Sequence, residues 1–171
     1  MNHNILDPVI SIGTLAHKVG LSVSAIRKYE EEGLIIPHRS ESGYRMFSYE
    51  DISRIRTIQH MVKNLGFNFE GIRRLQALLP CWNLLPCDHD ECINKSHDQC
   101  PAYKDNTKPC WMINEAYCTI QGNECRNCMV YRFGTICAED IKEIIHDQNN
   151  KQINAIETLL NKKLKNESEI D

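Results

Sequence analysis

The sequence predicts a mainly α-helical chain in three parts, on three observations. Capped apolar periodicities of helical spacing run from Ile10 to Leu79, all nine cysteines fall between Cys81 and Cys137, and helical periodicity returns from Ala138 to about Lys165. The parts are a compact helical domain over residues 1–80, a cysteine-rich module over 81–137 and a long helix with a short tail over 138–171.

Ser11 can cap a first helix whose apolar positions Ile12, Leu15, Ala16 and Val19 recur at helical spacing before Gly20. Ser22 caps a second, Val23 to Glu32, closed by Gly33. Two short helices joined by a tight glycine-containing turn make a helix-turn-helix, the second helix being the one that enters a major groove. Apolar segments on either side of Arg39-Ser40-Glu41-Ser42-Gly43 predict a β-hairpin with a polar tip, a wing. Ser48-Tyr49-Glu50-Asp51 reads as a capping box for a third helix, with Ile52, Ile55, Ile58, Val62 and Leu65 on one stripe and Gly66 as its stop. A fourth helix starts at Asn68, buries Ile72, Leu75 and Leu78, and ends at Pro80.

Composition narrows the function classes. The chain has 171 residues, 42% of them hydrophobic, enough for a core and too many for a disordered chain. No apolar run approaches the roughly 18 residues of a membrane span, and MNHNILDP lacks the layout of a secretory signal, so the expected location is the cytoplasm. An odd number of clustered cysteines in such a compartment points to metal ligation or redox chemistry rather than a disulfide scaffold. Residues 1–80 carry ten Lys/Arg against eight Asp/Glu, and the rest ten against fifteen. The mildly basic N-terminal half is therefore the one suited to DNA.

Ile12-Gly13-Thr14-Leu15-Ala16, then Val23 through Ile35, Arg39 through Arg45 and Phe47 through Ile52 resemble, in that order, the winged helix-turn-helix of MerR-type transcription regulators. Asn68-Phe69-Glu70-Gly71-Ile72 is closer to the HspR and GlnR-like branches than to mercury-sensing members. The resemblance implies a homodimer on near-palindromic double-stranded promoter DNA, with RNA polymerase as a further partner. At the motif positions, the expected DNA contacts are Ser24, Arg27, Lys28 and Tyr29 from the second helix and Tyr44 and Arg45 from the wing. Lys28 stands where an aromatic is common, and Tyr29 has packing beneath the wing as its alternative role.

The cysteines lie at 81, 87, 92, 100, 110, 118, 125, 128 and 137, and only Cys125-Arg126-Asn127-Cys128 has the spacing that aims two thiolates at one metal. Cys81-Trp82, Cys100-Pro101-Ala102-Tyr103, Lys108-Pro109-Cys110-Trp111, Cys118 and Cys125 through Tyr131 resemble the "two-CW" module of bacterial signalling proteins, which implies a sensor role without naming a ligand. The expected ligand set is Cys110, Cys118, Cys125 and Cys128, with Cys81, Cys87, Cys92 and Cys100 as a second tier. His89 and His97 could replace a thiolate. Structural zinc usually draws on two close pairs, whereas an iron-sulfur cluster accepts dispersed thiolates in a shell such as Trp82, Trp111 and Tyr131 would give. The cluster is favoured, with zinc as the alternative.

The last helix, with Ile141, Ile144 and Ile145 at one end and Ile153, Ile156, Leu160 and Leu164 at the other, is expected to pair with a second copy. Taken together, these features predict a DNA-binding regulator that senses redox state or a metal through a cysteine-ligated cofactor. The alternative is a DNA-binding regulator in which zinc or a cluster only braces a protein-interaction module. An enzyme is not expected, since nothing pairs a thiol with an ordered base and no nucleotide-binding loop occurs.

Overall fold

Two serines fix where the first helices begin. In the computed structural model, which describes residues 4–79, 81, 99–113, 118 and 122–134 (not the side chains of 122–124 and 133), Ser11 Oγ accepts from the Thr14 amide at 3.3 Å and opens α1, Ile12–Val19. Ser22 Oγ accepts from the Ala25 amide at 3.1 Å and opens α2, Val23–Glu31. Each bond satisfies an N–H that a helix start leaves without an intrahelical partner. Gly20 ends α1 in the left-handed region, at φ 66°, where a Cβ would be strained.

The wing follows. Strands β2, His38–Arg39, and β3, Arg45–Phe47, pair antiparallel with His38 opposite Met46. A third strand that the sequence pattern does not announce, Ile10–Ser11, lies on the other side of β3 with Ile10 opposite Phe47. Two residues are too few for a period-two alternation to register.

Helix α3, Tyr49–Lys63, opens with the expected capping box: Ser48 Oγ accepts from the Asp51 amide at 3.3 Å, and Asp51 Oδ2 accepts from the Ser48 amide at 2.7 Å. It ends at Lys63, and Gly66 falls in the turn beyond. Asn68 caps α4, Phe69–Ala77, its Oδ1 accepting from the Gly71 amide at 2.7 Å. Leu78, expected in the core, is 68% exposed. Six residues after Ile72, it stands about 120° around the helix, and the buried row runs through Ile72 and Gln76 instead.

These elements share one core of fourteen buried residues between Ile10 and Ile72, among them Leu15, Ile26, Leu34, Phe47, Ile55 and Ile58. Beyond residue 98 the described elements are short: α5, Pro101–Lys104; 3-10 turns at Cys110–Met112 and Gly122–Asn127; and α6, Met129–Phe133. A second cluster centres on Cys128, Val130 and Tyr131, with Ile36, Leu79, Cys81, Cys110 and Trp111 packed against it. All described residues belong to one compact unit, Met1–Thr135. The expected pairing helix, Cys87, Cys92, Cys137, Trp82, His89 and His97 lie outside the described residues. Among the described residues no helix is long and apolar enough to cross a membrane.

Candidate nucleic-acid interface and thiol cluster

Helix α2 exposes Ser24, Arg27 and Lys28, while Tyr29 turns inward. The Tyr29 ring is only 7% exposed and meets Phe69 edge-on at 5.3 Å between centroids, so it serves the core rather than the surface. Lys28 Nζ lies 2.8 Å from Glu32 and 3.8 Å from Glu31, and the hydrogen bond to Glu32 raises its pKa. Arg73 of α4 also pairs with Glu32.

Tyr44 is 72% exposed at the wing tip, where Ser40 N donates to Tyr44 O and Tyr44 N to Ser40 Oγ, both at 3.0 Å. Gly43 closes the turn at φ 80°. Arg45 is half-buried, its Nε donating to Glu30 Oε2 at 2.6 Å, while Arg39 Nη2 donates to Glu30 Oε1 at 2.9 Å. One carboxylate on α2 thus holds both strands of the wing. A groove of about 490 Å³ runs between Ser11 and Ile12 on one side and His38, Tyr44 and Arg45 on the other.

Of the six described cysteines, four lie around a fifth, Cys110. Cys81, Cys110 and Cys128 pack in the second cluster, and the Cys128 amide donates to Cys125 O at 3.0 Å in the CxxC turn. Burial, and then Cys81, Cys128, Cys125 and Cys118 within electrostatic reach, push the Cys110 thiol up to about 12. Cys110 is therefore protonated at neutral pH until a cation offsets that crowding. Cys100 is buried at the start of α5.

Cys118, Cys125 and Cys128 of the expected first set, and Cys81 of the second tier, thus each lie within electrostatic reach of Cys110. Among the described residues no three Cys, His, Asp or Glu side chains close around a single ion. The chemistry of the donors nonetheless fits a thiophilic group: Cys81, Cys110 and Cys128 pack beside Trp111, Tyr131 and Leu79, with Cys118 and Cys125 within electrostatic reach of Cys110.

The thiol cluster is tied to the head by the residues that flank it. Trp111, directly after Cys110, donates from Nε1 to Gly33 O at 2.8 Å. Arg126, directly after Cys125, pairs with Asp51 Oδ2 at 3.2 Å, the same oxygen that closes the capping box of α3. Tyr131 Oη accepts from the Ile36 amide at 2.9 Å, and Gln76 of α4 donates to Gly134 O at 2.7 Å.

At the centre lies Arg54 of α3, only 2% exposed. Its Nε donates to Leu34 O at 2.7 Å and its Nη1 to Tyr131 O at 2.5 Å. Its guanidinium lies 3.7 Å from the Tyr131 ring centroid and 5.5 Å from that of Trp111. Burial lowers its pKa, opposed by Tyr131, Asp51 and Glu50. Sequence reasoning did not select Arg54, Arg126 or the head-facing role of Tyr131. The available signal was the row Asp51, Arg54, Ile58, Met61, in which two charges occupy apolar positions at helical spacing.

Residues 10–79 match the model of the MerR HTH family regulatory protein. Over 70 residues the chain is 44% identical to a probable heavy metal-dependent transcriptional regulator of Haemophilus influenzae, covering 40% of this chain and 54% of the relative. It is 45% identical over 69 residues to the mercuric resistance operon regulatory protein of Bacillus cereus, covering 40% and 52%. With the HTH-type transcriptional regulator TnrA of Bacillus subtilis it shares 50% identity over 58 residues, covering 33% and 53%. The chain spans about half the length of these curated relatives. The cysteines from Cys81 onward fall outside the matched family model. Residues 10–79, the stretch that matches the MerR HTH family model, are thus mostly helical with a small wing sheet.

Proposed function

We propose that this chain is a transcription regulator that binds double-stranded promoter DNA as a homodimer and senses redox state or a metal through a thiolate-ligated cofactor. One observation carries the reading. The thiols gathered around Cys110 belong to the same compact unit as the exposed cations of α2 and the wing. The cofactor would be held by Cys110, Cys118, Cys125 and Cys128, an iron-sulfur cluster in preference to zinc, and it would supply a charge that changes with oxidation or occupancy. The metal-dependent and mercuric names carried by two relatives support the sensing of a thiophilic ion.

On the DNA side, Arg27 would reach base edges from α2, and Arg45 would hold a phosphate from the wing, positioned by Glu30. Replacing Arg27 with alanine is expected to cost about 1–3 kcal/mol of DNA binding and to relax sequence preference, whereas Arg45→Ala should weaken all sequences alike and reduce the salt slope by about 1. Fluorescence anisotropy over a salt series, with duplexes selected from a random library by the full chain, separates the two effects. The sensing part is tested by footprinting with protein prepared without oxygen, then oxidised, reduced or stripped by chelator. A change in affinity or promoter distortion among these states is the expected result, and identical footprints in all of them would overturn it.

A further inference from the structure

We propose that Trp111 and Tyr131 are positioning residues through which the thiol cluster sets the turn between the recognition helix and the wing. This rests on the sensing reading above and names the element it acts on. The turn comprises residues 33–36, between the end of α2 at Glu31 and the start of β2 at His38. Gly33 O accepts from Trp111 Nε1 at 2.8 Å, and the Ile36 amide donates to Tyr131 Oη at 2.9 Å. Between them, Leu34 O accepts from Arg54, whose other bond goes to Tyr131 O.

Side-chain packing follows the same pattern. Ile36 packs on the cluster of Cys128, Val130 and Tyr131. Met112 lies so close to Gly33, itself at φ 67°, that a Cβ there would overlap its sulfur. Three of the four turn residues are therefore held by polar bonds to the cysteine-rich segment or to the arginine that segment grips.

The grip begins at the thiols themselves. Trp111 is bonded to Cys110, and Tyr131 lies three residues after Cys128, within the first turn of α6. A change at either cysteine reaches the turn through one or three residues, without passing through the head's main core. The turn in turn carries β2, whose Arg39 shares Glu30 with Arg45. A shift at residues 33–36 would alter the angle between α2 and the wing, the two elements that must meet DNA together.

The test uses the full chain, wild type and the variants W111F and Y131F, singly and together. Each keeps an aromatic ring and removes one hydrogen bond to the turn, and the melting temperature of each variant reports any loss of folding. DNA affinity is measured before and after chelator treatment, on a duplex selected from a random library by wild type, alongside metal and sulfide content and amide exchange at Ile36. In wild type, chelation should change affinity and accelerate Ile36 exchange. In the double variant the metal and sulfide content should be retained while the affinity ratio between the two states falls by roughly two- to tenfold towards one, the worth of one or two hydrogen bonds.

A double variant that keeps the wild-type ratio overturns the positioning role. A wild type whose affinity ignores chelation overturns the sensing reading instead. In that case positioning is read at fixed state: a two- to tenfold loss of affinity in the variants, with a wild-type melting temperature, supports it, and unchanged affinity overturns it.

Discussion

Arg54→Ala is expected to lower the stability of the described unit by about 3–5 kcal/mol, from two buried carbonyls left without their donor and the cavity of a large side chain. The guanidinium is 2% exposed and bridges two carbonyls, Leu34 O in the head and Tyr131 O in α6. Truncation leaves both oxygens without that donor, at about 1–3 kcal/mol each where they remain buried, and opens a cavity beneath the Tyr131 and Trp111 rings. Arg54→Lys keeps the charge but not the planar fork that reaches both carbonyls, so its loss should be smaller and still well above that of a surface change. Urea denaturation followed by circular dichroism measures both. An Arg54→Ala midpoint indistinguishable from wild type would mean that the guanidinium does not join the two segments.

Arg54 also marks where the sequence stops being readable. Helix starts could be located because each rests on a local bond: Ser11, Ser22 and Asn68 cap through side chains three residues from the amides they satisfy, and Ser48 with Asp51 closes a reciprocal pair. The wing was visible from its polar tip for the same reason. Contacts between distant residues leave no comparable trace. Arg54 to Tyr131 spans 77 positions, Trp111 to Gly33 spans 78, and Ile36 to Tyr131 spans 95.

Tyr29 and Leu78 show a different limit. Tyr29 sits on a helix and Leu78 at the end of one whose existence was clear, but which face is covered depends on the neighbour, and Phe69 covers Tyr29 while Leu78 stays outside. The CxxC pair was legible as chemistry. That Cys81 approaches Cys110 was not, because twenty-eight residues without a clear apolar period separate them.

Stripping thiophilic metal from protein prepared without oxygen is expected to release residues 99–134 from the head while leaving the helix-turn-helix folded. Among the described residues, the head's core draws fourteen buried residues from Ile10 to Ile72 and none from the cysteine-rich segment. Among that segment's described residues, Cys128, Val130 and Tyr131 form the centre of the second cluster. Ordering the segment costs conformational entropy, which cross-linking by its thiols would help to offset together with the bonds of Trp111, Arg126 and Tyr131.

Hydrogen exchange read by mass spectrometry or NMR separates the two regions. The Ile36 amide, held by Tyr131, should lose protection on chelation, whereas the amides of Ile55 and Ile58 in α3 should keep it. Arg54 would then retain Leu34 O but lose Tyr131, leaving the head folded with a lower melting temperature. Loss of protection at Ile36, Ile55 and Ile58 together would show that head and segment fold as one cooperative unit. Unchanged protection at Ile36 would show that packing alone, without a bound metal, holds the cysteine-rich segment in place.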